Sequence, residues 1–292
     1  MEITAAQVKD LREKTGLGMM ICKQALTESN GDMTLAIENL RKQGQTTAAK
    51  RAGKNAKQGI VAIVSDALTT IVYEVNSETD FVARNEDFSS FVAGLGKLLL
   101  AKKPATIEEA RNLTIPESGV TIETRITELI AKISENLSFR RYRKMDADPA
   151  VERIATYLHG QGKIGVAVKL RVESPAALAS EAIALLGKDL AMQVAAANPI
   201  AADRESIPAT IIAKEKEIYF TQAQTSGKPE KIWNKIVEGK LAKFYQETVL
   251  VEQGFIRDPE TLVIGRIKVA EKECGATIKV MSFIRLELGA EE

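Results

Sequence analysis

The sequence predicts an α+β protein: a three-helix N-terminal module, then two duplicated α+β subdomains with mainly antiparallel sheets, the second holding an inserted αα-hairpin. Three observations predict it. Short alternating apolar runs come in pairs, 60–64 with 70–75 and 154–158 with 164–170, each pair split by a turn signal. Longer stretches between them repeat apolar residues at helical spacing. Finally, Ser138-Phe139-Arg140-Arg141 in the first half is echoed by Ser282-Phe283-Ile284-Arg285 in the second.

The elements follow in order. In residues 1–45, Thr4 with Gln7 three positions later forms a capping-box pattern, and Val8 and Leu11 give the first helix an apolar stripe. The run 15–18, Thr-Gly-Leu-Gly, breaks it. Met19, Met20, Ala25 and Leu26 lie on a short second helix. Asn30-Gly31 turns the chain, and Asp32 caps a third helix carrying Leu35, Ile37 and Leu40. Residues 46–59 then carry Lys50, Arg51, Lys54 and Lys57 without an acid. They read as a solvated, partly helical basic linker or as a partner contact.

The first subdomain spans 60–148. Its hairpin turns at 66–68. Asn85 caps a helix with Glu86 and Asp87 in the positive first turn, and Phe88, Phe91, Val92, Leu95, Leu98 and Leu99 form its stripe. A second helix puts Ile122, Ile126, Leu129, Ile130 and Ile133 on one face, and 137–142 reads as a strand. Strict alternation there sets Phe139 and Arg141 on one face and Arg140 and Tyr142 on the other. The second subdomain comprises 149–198 and 251–292. After its hairpin, Ser174-Pro175 opens a helix with Leu178, Ala182, Leu186, Leu190 and Val194 in one row. Asp258-Pro259 is expected to open another, holding Leu262, Val263, Ile267 and Val269 and closed by Gly275. Residues 278–288 alternate as the closing strand. The insertion, 199–250, reads as two helices joined at Ser226-Gly-Lys-Pro229, with Ile232, Trp233, Ile236, Val237, Leu241 and Phe244 on the second.

Composition narrows the function. Among 292 residues, Lys+Arg is 40 and Asp+Glu 39, so no global field points to nucleic acid or a membrane surface. Cys22 and Cys274 have no metal-ligand spacing and fit a reducing compartment. The N-terminus is acidic and amphipathic, unlike a signal peptide, and no apolar run spans a membrane, so a cytoplasmic protein is expected. There is one histidine, His159, and no phosphate loop, nucleophile elbow or zinc motif. No catalytic constellation, metal site or cofactor is expected.

One stretch stands out. Residues 77–88, SETDFVARNEDF, set Phe81 in an acidic connection. Either Phe81 and Val82 staple the next helix to the sheet, or the ring is held out for a partner beside the Asp80 charge. His159 lies in a glycine-rich hairpin turn, most simply as a partly solvated turn residue. Residues 139–144 mix aromatics with positive charge, a weak RNA-binding signal, though such a strand also fits a charged sheet edge.

Taken together, several stretches resemble the elongation factor Ts family, guanine-nucleotide exchange factors for elongation factor Tu. They are the run 11–20, LREKTGLGMM, with Cys22-Lys-Gln-Ala-Leu26; Asn30-Gly-Asp32; 36–41, AIENLR; Glu78-Thr-Asp-Phe-Val82; Tyr157-Leu-His-Gly160 with Ile164-Gly-Val166; Ser226-Gly-Lys-Pro229; and Phe283-Ile-Arg285. The matches run in order along nearly the whole chain. The resemblance implies that the first module is a ubiquitin-associated-type domain docking on elongation factor Tu through Met19 and Met20. It implies that Thr79, Asp80, Phe81 and Val82 intrude beside the partner's magnesium site, and that His159 lies near that interface. The 199–250 hairpin resembles the family's coiled-coil insertion, used in some members for dimerisation. The chain stops at Glu292, where longer members carry a further helix, so contacts depending on that helix are not expected. Such a protein acts by binding, without a bond made or broken and without direct contact with nucleic acid. The competing reading is an RNA-binding, translation-associated module.

Overall fold

Thr4 and Gln7 close a reciprocal capping box at the start of α1 (Ala5–Thr15), which ends at the left-handed Gly16. The computed structural model describes residues 3–291. α2 (Met19–Glu28) follows, and the Asp32 carboxylate accepts from the Leu35 N–H to cap α3 (Met33–Arg51). Val8, Leu11, Cys22, Ala25, Leu26, Ala36 and Leu40 form the small core of this module. α3 does not stop at 45. Residues 46–51 are alanine, threonine and basic side chains without glycine or proline, so nothing breaks the helix before Gly53. The first half of the basic stretch is therefore helix, and only 52–57 is irregular.

The rest is two halves with the same plan. The first contains β1 (Gln58–Ser65), β2 (Thr69–Ser77), α4 (Asp80–Ala83), α5 (Glu86–Lys102), the short α6 (Ile107–Arg111), α7 (Ile122–Ile133) and β3 (Leu137–Asp146). The second contains β4 (Glu152–His159), β5 (Ile164–Val172), α8 (Pro175–Leu178), α9 (Glu181–Ala197), the hairpin α10 (Ala209–Thr225) and α11 (Trp233–Thr248), a small ribbon of β6 (Gly254–Phe255) and β7 (Asp258–Leu262), then α12 (Val263–Cys274) and β8 (Ile278–Glu287). Each sheet is antiparallel, ordered β1-β2-β3 and β4-β5-β8. Corresponding elements have equal lengths: 8 residues in β1 and β4, 9 in β2 and β5, 4 in α4 and α8, 17 in α5 and α9, 12 in α7 and α12, 10 in β3 and β8. The α+β class and its internal repeat are both present.

The two sheets face each other, and the helices cover their outer faces. Val61, Val72, Met145, Ala167 and Leu286 meet between the sheets. Ile71, Tyr73 and Val75 pack outward on α5 and α7, while Val166, Val168 and Leu170 do so on α9 and α12. A Cβ at Gly165 would lie 2.6 Å from a Val61 methyl, so glycine there lets the sheets close. The N-terminal module joins this body along α3 and α7, where Gly44 sits against Ala131.

Four sequence expectations change. Asp258-Pro259 does not open a helix; it lies in β7, and α12 begins at Val263, whose N–H donates to the Gln253 carbonyl. The stripe of α12 is Val263, Ile267 and Ala270, leaving Val269 exposed. The 178–194 row is split, because the Ser180 hydroxyl accepts from the Ile183 N–H and starts α9 afresh. The alternation in 139–142 fails because the β2–β3 register shifts between Glu74 and Val75. This bulge at Arg140 puts Phe139 and Tyr142 together in the outer core, while Arg141 turns toward Glu74.

Candidate functional site

The site is built where β2 and β3 part. Their ladder ends at the pair Ser77 and Leu137. Beyond it, the Glu78 carboxylate accepts from the Asn136 N–H at 2.6 Å and pairs with Arg51, the last residue of α3, at 3.4 Å. Thr79 donates its N–H and its hydroxyl to the two oxygens of Glu135, at 2.9 and 2.7 Å, and its carbonyl accepts from the Ser77 hydroxyl at 2.7 Å. That use of the Thr79 hydroxyl leaves α4 without a side-chain cap. A one-turn helix cannot hold itself together, so its geometry is set by these anchors and by the Arg84 and Asn85 N–H groups, which bond back to the Phe81 and Val82 carbonyls.

On this turn Val82 points inward and is 5% exposed, while Phe81 points outward and is 77% exposed. Asp80 and Arg84 face each other across the helix surface at 3.9 Å, both in solvent. The duplicated half explains the direction of Phe81. In α8, Ala177 is buried where Val82 is, and Ala176 is exposed where Phe81 is. The scaffold turns that position outward in both halves, and the first half places a large ring on it. Asn85 caps α5 by accepting from the Asp87 and Phe88 N–H groups.

Met19 and Met20 lie on the first turn of α2 and are 59% and 77% exposed. The turn before them reaches the core: Gly16 packs against the Lys132 ammonium, which pairs with Asp87 at 2.7 Å in the first turn of α5. His159 ends β4, exposed, with Nδ1 3.0 Å from the Tyr157 hydroxyl. Its turn abuts the start of β1, since the Val61 N–H donates to the Gly162 carbonyl and Lys163 donates to Gln58. Gln58 pairs with Ser77, so the 79–82 turn and His159 sit at one end of the sheet stack. Leu158, 48% exposed, joins them there.

Sequence reasoning missed Leu158 and the anchors Arg51, Glu135 and Asn136. Glu135 and Asn136 were visible only as a polar break between a helical stripe and a strand. The other charged stretch is engaged internally: Arg140 and Arg141 both pair with Glu74, Lys144 with Asp146, and Arg143 donates to the Tyr142 carbonyl. Among the described residues no group of three or more acids, histidines or cysteines is placed to hold a metal, and no helix is long and apolar enough to cross a membrane.

Fold and site together define a class: a duplicated α+β scaffold that presents apolar side chains to solvent from anchored turns. A family model described as elongation factor TS matches residues 78–290. Proteins named elongation factor Ts align over 99% of this chain: one from Bartonella henselae at 43% identity over 94% of its own length, one from Prosthecochloris aestuarii at 43% over 99%, and one from Syntrophotalea carbinolica at 41% over 94%. The chain belongs to the elongation factor Ts family. That membership makes its coarse role nucleotide exchange in translation elongation.

Proposed function

We propose that this protein binds elongation factor Tu carrying GDP and speeds release of the nucleotide. The observation that carries the reading is Phe81, a large apolar ring held in water by an anchored turn. Such exposure costs free energy in the free chain and is recovered when a partner buries the ring. In the complex Phe81 inserts into the partner, Asp80 perturbs the groups that order the magnesium ion, and Thr79 and Val82 hold the turn. Met19 and Met20 dock the N-terminal module on the partner, and His159 contributes at the same end of the core as Phe81. A bound diphosphate depends on its cation for counter-charge, so loosening the ion speeds departure. Linkage makes the effect reciprocal: a factor that weakens nucleotide is itself weakened by nucleotide. The protein needs no cofactor for this, and no covalent bond changes. The α10–α11 hairpin pairs two copies of the chain.

Burying one phenylalanine ring is worth about 2 kcal/mol, or roughly a thirtyfold change in a rate limited by that step. Phe81→Ala should therefore slow stimulated release of fluorescent GDP from elongation factor Tu by at least about tenfold while leaving the circular dichroism and unfolding curve unchanged. Asp80→Ala should cost less. A wild-type release rate for the Phe81 variant in stopped flow would refute the wedge.

A further inference from the structure

The anchoring of the Phe81 turn is reciprocal. Glu135 takes the N–H of Thr79, and Glu78 takes the N–H of Asn136. Each carboxylate thus bonds the backbone one residue beyond the other, and the pair continues the β2–β3 ladder past its last residues, Ser77 and Leu137. Both are hydrogen bonds to a charged acceptor, and Glu135 makes two of them, so the turn is held by strong contacts at short range.

The fold itself does not demand this clasp. In the second half the same junction, between the ends of β5 and β8, is closed by a backbone bond from the Glu173 N–H to the Thr277 carbonyl, and a carboxylate there, Glu271, accepts from the Ile278 N–H at the start of β8 rather than from the turn. There Ser174, at the place of Thr79, caps its own short helix by accepting from the Ala177 N–H. In the half that presents an exposed alanine the carboxylate holds the start of the strand; in the half that presents an exposed phenylalanine Glu135 holds the turn itself and Glu78 returns the bond. Arg51 adds a third member, bringing the end of α3, and with it the N-terminal module, onto Glu78.

We infer that Glu135 is a positioning residue for nucleotide exchange: through Thr79 it holds in place the turn that carries the Phe81 ring, while Glu78 and Arg51 set that turn in register with the docking module. This rests on the wedge reading above. A ring that must enter a partner works best when its turn is already ordered, because the ordering cost is then absent from the bound state.

The test is GDP release from elongation factor Tu over a range of concentrations of this protein, giving a half-saturating concentration and a maximal rate. Glu135→Ala should lower the maximal rate about tenfold and move the half-saturating concentration little, as expected for misplacing a group rather than deleting it. Glu135→Gln keeps an acceptor for the Thr79 N–H and should restore most of the rate. The double variant Phe81→Ala with Glu135→Ala should be no slower than Phe81→Ala alone, because the clasp acts through the ring. A wild-type rate for Glu135→Ala beside a slow Phe81→Ala would overturn the inference, as would losses that multiply in the double variant. A Phe81→Ala that behaves as wild type would instead remove the wedge reading itself. If Glu135→Ala unfolds at the assay temperature, Thr79→Val, which deletes only the hydroxyl bond, takes its place. A lowered maximal rate masked by Phe81→Ala supports the clasp, and a wild-type rate overturns it.

Discussion

Glu74 is fully buried on the central strand of the first sheet, facing the second sheet, and its charge is answered from several sides. Arg141 and Arg140 pair with it, and the Asn76 amide and the Gly289 N–H donate to it. Arg141 also donates to the Glu287 carbonyl, so one ion pair fastens the end of β8 to β2 and β3. Removing one partner of a buried pair strands the other. Arg141→Met should therefore lower stability by about 3 kcal/mol in urea unfolding, and a loss under about 1 kcal/mol would show that the remaining donors suffice. None of this was legible in 139–144. Arg141 looked like a surface charge because a bulge at Arg140 leaves no mark in a single sequence. Phe81 was half legible: its odd setting was plain, but Glu135, the anchor of its turn, lies more than fifty residues downstream in the chain.

At the scale of elements, what could be read was local. Thr4, Asp32 and Asn85 all cap helices, and both main hairpins pair as their alternating runs suggest. What could not be read was competition between local plans. Asp258-Pro259 is a good helix start by composition, but the buried Gln253 claims the Val263 N–H and delays the helix. The approach of the two sheets was likewise invisible, since Gly165 is one more glycine in an apolar run. Gly165→Ala would set a methyl 2.6 Å from Val61 and should cost about 1–3 kcal/mol, read as a lower urea midpoint. The β1–β2 turn makes a pH prediction. Lys103 bonds the Asp66 carboxylate, the Leu68 and Thr69 N–H groups add to it, and its pKa falls to about 2. A folded value below the unfolded one means that this contribution is complete above about pH 4 and disappears as the pH falls toward 2. Asp66→Asn should flatten the acid limb of the stability curve between those values; parallel limbs would show that the turn does not depend on the charge.

For the whole molecule, duplication is the organising fact. It was legible because strands and helices recur in one order, and the equal element lengths make it exact in outline; the Ser-Phe-x-Arg echo is out of register, since Ser138 is the second residue of β3 and Ser282 the fifth of β8. The insertion stands apart from that symmetry. Its two ends meet in the bridge between Ala201 and Val249, so the second half closes beneath it. Along the hairpin α10 buries only Ala223 and α11 only Leu241, while Ile211 and Ile218, two turns apart on α10, stay exposed. Phe220 meets Trp233 edge-on and is itself partly in solvent. A helical pair with so little of its own core gains most from a second copy. Excising 209–248 and joining the chain there should leave the urea midpoint of the core and Phe81-dependent GDP release nearly unchanged. The full chain should sediment as a dimer at concentrations where the shortened chain is a monomer. A monomeric full chain, or a shortened chain that still dimerises, would refute pairing through the hairpin. Collapse of the shortened chain would show instead that α10 and α11 belong to the core rather than to an insertion.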